Sequence, residues 1–125
     1  MTAFRAVVLE HFRHPRNRGQ LADAHASAEG ANPLCGDRIR IQLTTDGDTI
    51  ADARFTADAC ALCIASASLL TEHVRGMRIG DARSVDVAWL HRSLDGEPPP
   101  GRKRCAQLPL ETMQRAVAAL VVPPT

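Results

Sequence analysis

Apolar residues fall in two rhythms along this chain. Between Arg38 and Leu43 they alternate strictly, with Ile39, Ile41 and Leu43 separated by Arg38, Arg40 and Gln42. A period of two sends successive side chains to opposite faces, so this stretch predicts a strand with one buried face and one wet face. The segment TTDGDT that follows carries an Asp-Gly turn signal, which predicts an antiparallel hairpin partner from about Thr49 to Phe55. Gln20 to Asn32 is small and polar, compatible with a loop or an edge strand, and the edge strand is the favoured reading.

Elsewhere the spacing is helical. Ala3 to Phe12 puts Phe4, Val7, Val8, His11 and Phe12 on or near one face, and that helix must stop before His14-Pro15 because a proline pushes the residue before it out of the helical region. After Cys60, Leu62, Leu69, Leu70 and Val74 form one stripe. Ala65 and Ser66 between them are small enough to let this helix lie close to a sheet, and Gly76 can end it. Ser84 to Leu94 predicts another helix, with Val85 and Trp89 on its apolar side. The three prolines of EPPPGRKRC favour an extended approach that delivers Cys105 at the end of a stiff, exposed segment. Pro109 suits the first position of a last helix, about Leu110 to Val121, in which Met113, Val117 and Leu120 share a face.

A chain of 125 residues fits one domain able to bury a core without a covalent staple. It is 45% hydrophobic but only 3% aromatic, so that core should be rich in small residues and lean towards helix. The charge is nearly balanced, 15 basic against 14 acidic residues. Arg13, Arg16 and Arg18 cluster early and Arg102, Lys103 and Arg104 late, which is no nucleic-acid footprint. No apolar run approaches the roughly 20 residues that span a bilayer, and the first residues reach charges too soon for a signal peptide, so the expected location is the cytoplasm. In that reducing compartment four cysteines point to metal ligands, nucleophiles or buried thiols rather than disulfides.

Any one of these cysteines, taken alone, reads equally well as a small buried hydrophobe. Their placement shifts the balance. Cys35 stands between Pro33 and Gly36 just before the strand, Cys60 between a strand and a helix, and Cys105 between the proline-rich segment and a helix. A helix start stabilises the thiolate, the form that binds metal and attacks sulfur, and Cys60 and Cys105 both have that setting. Asp37 lies two residues beyond Cys35, and in an extended backbone those two side chains project to one side. Cys60 and Cys63 form a C-x-x-C pair, but a thioredoxin-like couple needs a parallel-sheet unit, and the strand before Cys60 belongs to an antiparallel hairpin. A structural zinc finger would want two close ligand pairs, and only one exists. His25, His73 and His91 lack partner spacing, His11 and His14 read as packing or surface groups, and Glu29 and Glu72 as solvated.

LEHFRHPRNRG, NPLCGDRIRIQL, DARFTADACALCIASASLLTE and RKRCAQLPLE, in this order and separation, resemble the IscU/SufU/NifU-type iron–sulfur cluster assembly scaffolds over nearly the whole chain. The resemblance implies one NifU N-terminal-like domain over residues 1–125. Its fold class is α+β, a small antiparallel sheet of about three strands with helices packed on one side. It implies Cys35, Asp37, Cys60 and Cys105 as ligands, gathered in one pocket open to water, for a transient [2Fe-2S] cluster or a zinc ion. Cys63 falls where relatives carry serine or alanine, which makes it a buried thiol beside the site. Arg104 replaces the histidine that precedes the third cysteine in the IscU branch, and a guanidinium is a very poor ligand. That leans towards SufU, yet the SufU insertion is missing, because Cys60 and Cys105 are only 45 positions apart. Ala59 stands where a glycine is usual, and PPPGRK only loosely matches the family's chaperone-recognition segment, which argues against an Hsp70-type partner.

The function this implies is a scaffold rather than a turnover enzyme. It would take sulfur from a cysteine desulfurase, with Cys35 the candidate persulfide acceptor, and iron from an iron donor. It would then build a cluster and pass it to apo acceptor proteins. The alternative is a zinc-dependent sulfur relay of the SufU kind. A third class, a zinc-stabilised interaction module, would unfold on losing metal, whereas the apolar faces here are enough to fold alone. No nucleic acid or membrane is among the expected partners.

Overall fold

The computed structural model describes residues 5–120. The alternating stretch is the middle strand of an antiparallel sheet, β2 (Asp37–Asp46), flanked by β1 (Ala26–Asn32) and β3 (Thr49–Asp58) in the order β1-β2-β3. Ile39, Ile41 and Leu43 are buried while Arg38 and Arg40 face out, as a period of two requires. Gly47, at φ +62°, makes the β2–β3 turn. The register slips between Thr44 and Thr45, leaving Ala51 as an extra residue on β3, so Ile50 and Ala53 both reach the core despite an odd spacing. The favoured edge strand between Gln20 and Asn32 is β1, pairing Asn32 with Asp37 and Ala26 with Leu43.

Five α-helices lie among the described residues: α1 (Ala6–Arg13), α2 (Ala61–Val74), α3 (Ile79–Ala82), α4 (Val87–Ser93) and α5 (Lys103–Ala118), with a 3-10 turn over Pro100–Arg102. Helix α5 covers the inner face of β1 and β2, α2 packs on β3 and against α5, and α1 lies on α2. The approach of α5 to β1 depends on Gly30. A Cβ there would collide with Thr112 Oγ1 and come within 3.0 Å of Leu108 Cδ1. Thr112 turns its hydroxyl back to the Leu108 carbonyl at 2.8 Å, and Arg115 Nη2 donates to the Glu29 carbonyl at 2.5 Å, which pins the edge strand to the helix.

Four expectations need correction. Phe12 is 41% exposed instead of sharing the buried face of Val8 and His11, while Ala3 and Phe4 lie outside the described residues. Helix α2 is not a one-stripe helix, because Leu62 through Ser68 are buried without a break and the helix is enclosed by α1, β3 and α5. Helix α4 begins later than Ser84, capped by Asp86, whose carboxylate accepts the Trp89 amide at 2.8 Å. Pro109 does not open the last helix but sits inside it, since α5 begins six residues earlier at Lys103. With no N–H to give, Pro109 leaves the Cys105 carbonyl without its helical donor. The end of that expected helix, Val121, lies outside the described residues.

Candidate metal centre

Three junctions of this fold meet at one end of the sheet. The first is the β1–β2 turn, Pro33 to Gly36, whose conformation is set by Asn32. The Asn32 carbonyl accepts the amides of Gly36 (2.8 Å) and Cys35 (3.3 Å), and its side-chain Oδ1 accepts the Leu34 amide at 3.2 Å. Gly36 takes φ +77° with open space where a Cβ would go, so glycine is required there by the backbone and not by crowding. The result lifts Cys35 into solvent, beside Leu34 at 84% exposure.

The second junction is the step from β3 to α2, where Cys60 holds the N-cap position with extended backbone. Its amide donates to Asp37 Oδ1 at 2.9 Å and its thiol lies 3.6 Å from Asp37 Oδ2. The carboxylate thus clasps the start of α2 with one oxygen and faces the sulfur with the other. The third junction is the first turn of α5, which carries Cys105 to 3.9 Å from Cys35, sulfur to sulfur.

Cys35, Asp37 and Cys105 each offer a donor atom, all within 4.8 Å of one another, close enough to share one ion. Cys60 joins this group through Asp37, so the four residues read from the sequence meet at one end of the sheet. They are not equally open to water. Cys35 is exposed and Cys60 half-buried, but Asp37 is 3% and Cys105 5% exposed, which corrects the expectation of a pocket wholly open to water and of Cys105 on an exposed segment. Burial, followed by the nearby sulfurs of Cys60 and Cys35, pushes the Cys105 thiol up to about 12. In the absence of metal this thiol keeps its proton at neutral pH.

Cys63 lies one helical turn behind Cys60, completely buried, and burial raises its thiol well above the ordinary range. All four cysteines are unpaired. A C-x-x-C couple would need the second thiol within reach of a partner, and Cys63 is sealed in the core. Arg104, next to Cys105, is exposed and lines a cavity of about 160 Å³ with Ala31, Asn32, Pro33 and Glu111. His11 is buried against Ser68, with 2.7 Å between Nδ1 and Oγ. His73 stacks on Trp89 with 4.1 Å between ring centres. Glu29, expected to be solvated, is an exposed partner of Arg40.

The residue that sequence reading passed over is Asn32. An asparagine before proline at a strand end is a turn signal, and here its buried side chain fixes the loop that presents Cys35.

The donor chemistry suits a thiophilic metal. Three soft sulfurs and one hard oxygen match zinc or iron–sulfur coordination far better than magnesium or calcium. Among the described residues no helix is long and apolar enough to cross a membrane.

Comparison with known proteins agrees with this chemistry. The NifU-like N terminal domain model matches residues 3–121. The chain is 31% identical to the zinc-dependent sulfurtransferase SufU of Bacillus subtilis, covering 94% of this chain and 90% of that one. It is 38% identical to the iron–sulfur cluster assembly scaffold protein IscU of Aquifex aeolicus, covering 88% and 71%. In fold it matches a putative iron–sulfur cluster assembly scaffold protein for the SUF system from Fervidobacterium islandicum, with a TM-score of 0.80 at 24% identity over 92% and 96% of the two chains. The family model spans all three junctions and every cysteine, and the chain therefore belongs to the NifU-like N terminal domain family, that of the IscU, SufU and NifU iron–sulfur cluster assembly scaffolds.

Proposed function

We propose that this chain, acting as one NifU-like unit, is a scaffold on which a [2Fe-2S] cluster is assembled and from which it is handed on. Cys35, Asp37, Cys60 and Cys105 would hold the cargo. Sulfur would come from a cysteine desulfurase and iron from a donor protein, and the finished cluster would go to an apo acceptor. The observation that carries the reading is the approach of three donors to within 4.8 Å of one another, with the Cys60 sulfur 3.6 Å from the Asp37 carboxylate.

The chain's own residues divide the task. Exposed Cys35 is the thiol that a donor's persulfide can reach, which makes it the sulfur acceptor. Cys60 and buried Cys105, anchored on helix starts, give two firm sulfur ligands. Asp37 gives a single hard oxygen, the weak ligand that lets the cargo leave. Its other oxygen accepts the Cys60 amide, so one carboxylate holds both the cargo and the start of α2.

Anaerobic incubation with ferrous iron, cysteine and a cysteine desulfurase should yield a visible iron–sulfur chromophore. Asp37→Ala should keep the colour and slow its transfer to an apo-ferredoxin. A protein that stays colourless while accelerating desulfurase turnover with bound zinc sinks this reading and supports the second one.

That second reading, a zinc-dependent sulfur relay, is favoured by Arg104 in place of a histidine ligand and by the similarity to the Bacillus sulfurtransferase. Zinc, when bound, would hold the thiols deprotonated and in place. Against it, the alignment to that relative runs over 134 positions while this chain has 125 residues, so the relative carries residues this chain lacks.

A further inference from the structure

We propose that Cys105 is a resolving thiol, which attacks a persulfide on Cys35 and sets the sulfur free as sulfide while the two cysteines close into a disulfide. The proposal rests on the reading of Cys35 as sulfur acceptor and adds the step that follows it. It concerns the site before metal is loaded.

The geometry gives the direction of attack. Cys35 is exposed, so a sulfur delivered by a partner arrives from the solvent side and lies on the outer side of Cys35 Sγ. Cys105 is buried beneath, its sulfur 3.9 Å from Cys35 Sγ. The entering thiol and the departing sulfur are then on opposite sides of the sulfur under attack, as displacement at sulfur requires. Forming a disulfide of about 2.05 Å from this separation takes a movement of about 2 Å. The Pro33 to Gly36 turn can supply it, since Cys35 is exposed and nothing lies within 4 Å of the Gly36 Cβ position.

The other thiols are poorly placed for this attack. The Cys60 sulfur faces Asp37 Oδ2, and Cys63 is sealed in the core.

The step balances without an outside reductant. The persulfide of Cys35 and the thiol of Cys105 give the Cys35–Cys105 disulfide and hydrogen sulfide. The new S–S bond forms as the persulfide S–S bond breaks, and the Cys105 proton leaves with the sulfide. Two electrons from the thiol pair reduce the transferred sulfur. A second round needs a dithiol to reopen the bridge.

The test uses the full chain, freed of metal with a chelator and loaded in two separate arms, one with sodium polysulfide and one with a cysteine desulfurase and cysteine. Released sulfide is assayed, and alkylated peptides are mapped by mass. Expected in the polysulfide arm is an added sulfur on Cys35 that decays with one sulfide per Cys35–Cys105 disulfide, and that persists about tenfold longer or more in Cys105→Ser. Cys63→Ala should behave as the parent, and circular dichroism checks that the variants are folded. The pairing found in the unmutated parent decides even if Cys105→Ser misfolds. Equal persistence in parent and Cys105→Ser overturns the proposal, as does bridging of Cys35 to Cys60, or migration of the sulfur to Cys105 without sulfide. If polysulfide loads Cys35 and the desulfurase does not, the acceptor reading fails while the resolving step stands or falls on the first arm alone.

Discussion

Two asparagines in proline-containing turns end up with opposite jobs. In the turn Pro15-Arg16-Asn17, Asn17 takes a left-handed conformation, φ +63°, and is held on every side. Its carbonyl accepts the Phe55 amide at 3.0 Å, its Nδ2 donates to Thr71 Oγ1 at 3.3 Å, and its Oδ1 accepts Arg75 Nη1 at 2.8 Å. One residue therefore ties the end of α1 to β3 and to α2. Asn32, at the start of the other turn, turns its carbonyl and its side-chain oxygen to the amides of its own loop, and the loop carries an exposed thiol. Both turns belong to the segments that mark the family, yet one closes the fold and the other presents chemistry. A motif that recurs with a function need not perform it.

The sharpest way to break this contrast is Asn17→Ala. It strips two side-chain hydrogen bonds, leaves Thr71 and Arg75 with a partner fewer, and puts alanine in a left-handed backbone. The expected cost is about 2 kcal/mol or more of stability. Zinc or cluster binding to the fraction that is folded should be unchanged. Chemical denaturation together with metal titration of the folded protein measures both. Loss of metal affinity in a fully folded Asn17→Ala would show that the first turn belongs to the site after all.

How far each turn could be read beforehand differs for the same reason. The alternation of Ile39, Ile41 and Leu43, the Asp-Gly hairpin and the three boundary cysteines were legible because each is a local pattern. The network around Asn17 was not, since Phe55, Thr71 and Arg75 stand 38, 54 and 58 positions away, and no spacing rule connects them. Helix α2 misled for a related reason. A helix enclosed by α1, β3 and α5 has no wet face to reveal its period, so the stripe of Leu62, Leu69, Leu70 and Val74 understates a burial that runs through Ala65, Ser66 and their neighbours. The short helix α3 had too few residues to show a rhythm, and Pro109 followed a start rule that an early 3-10 turn over Pro100–Arg102 had already pre-empted.

A smaller change tests the other turn. Gly36→Ala and Gly47→Ala both force a side chain into a positive φ, +77° and +62°, with open space around each Cβ. The backbone penalty should be alike, about 1–2 kcal/mol for each. Only Gly36→Ala should also weaken zinc binding, because Cys35 and Asp37 flank that residue, whereas the carboxylates beside Gly47, Asp46 and Asp48, lie at the other end of β2, away from the thiols. Isothermal titration of both variants with zinc distinguishes the outcomes, and equal affinities would remove the β1–β2 turn from the proposed site.

The smallest expected effect is a pH dependence confined to the architectural side. His11 is buried against Ser68, whose Oγ also accepts the Arg16 amide at 2.8 Å. The Ser68 hydroxyl can then donate its hydrogen to Nδ1, which suits a neutral ring. Burial, and after it the Arg16 charge, lower the His11 value below 6.5, with Glu72 and Glu10 pulling weakly the other way. Unfolding restores the ordinary value of about 6.5, so in mild acid the unfolded chain takes up a proton that the folded one refuses. Stability is therefore fully present above pH 6.5 and declines as the pH falls from there towards the lowered folded value. His73, also lowered by burial, contributes in the same direction from its stack on Trp89. Urea melts of the parent and of His11→Gln between pH 7.5 and pH 5 should show a flatter acid limb in the variant. An unchanged limb would mean that His11 keeps its ordinary affinity for protons, and that the contact with Ser68 does not depend on a neutral ring.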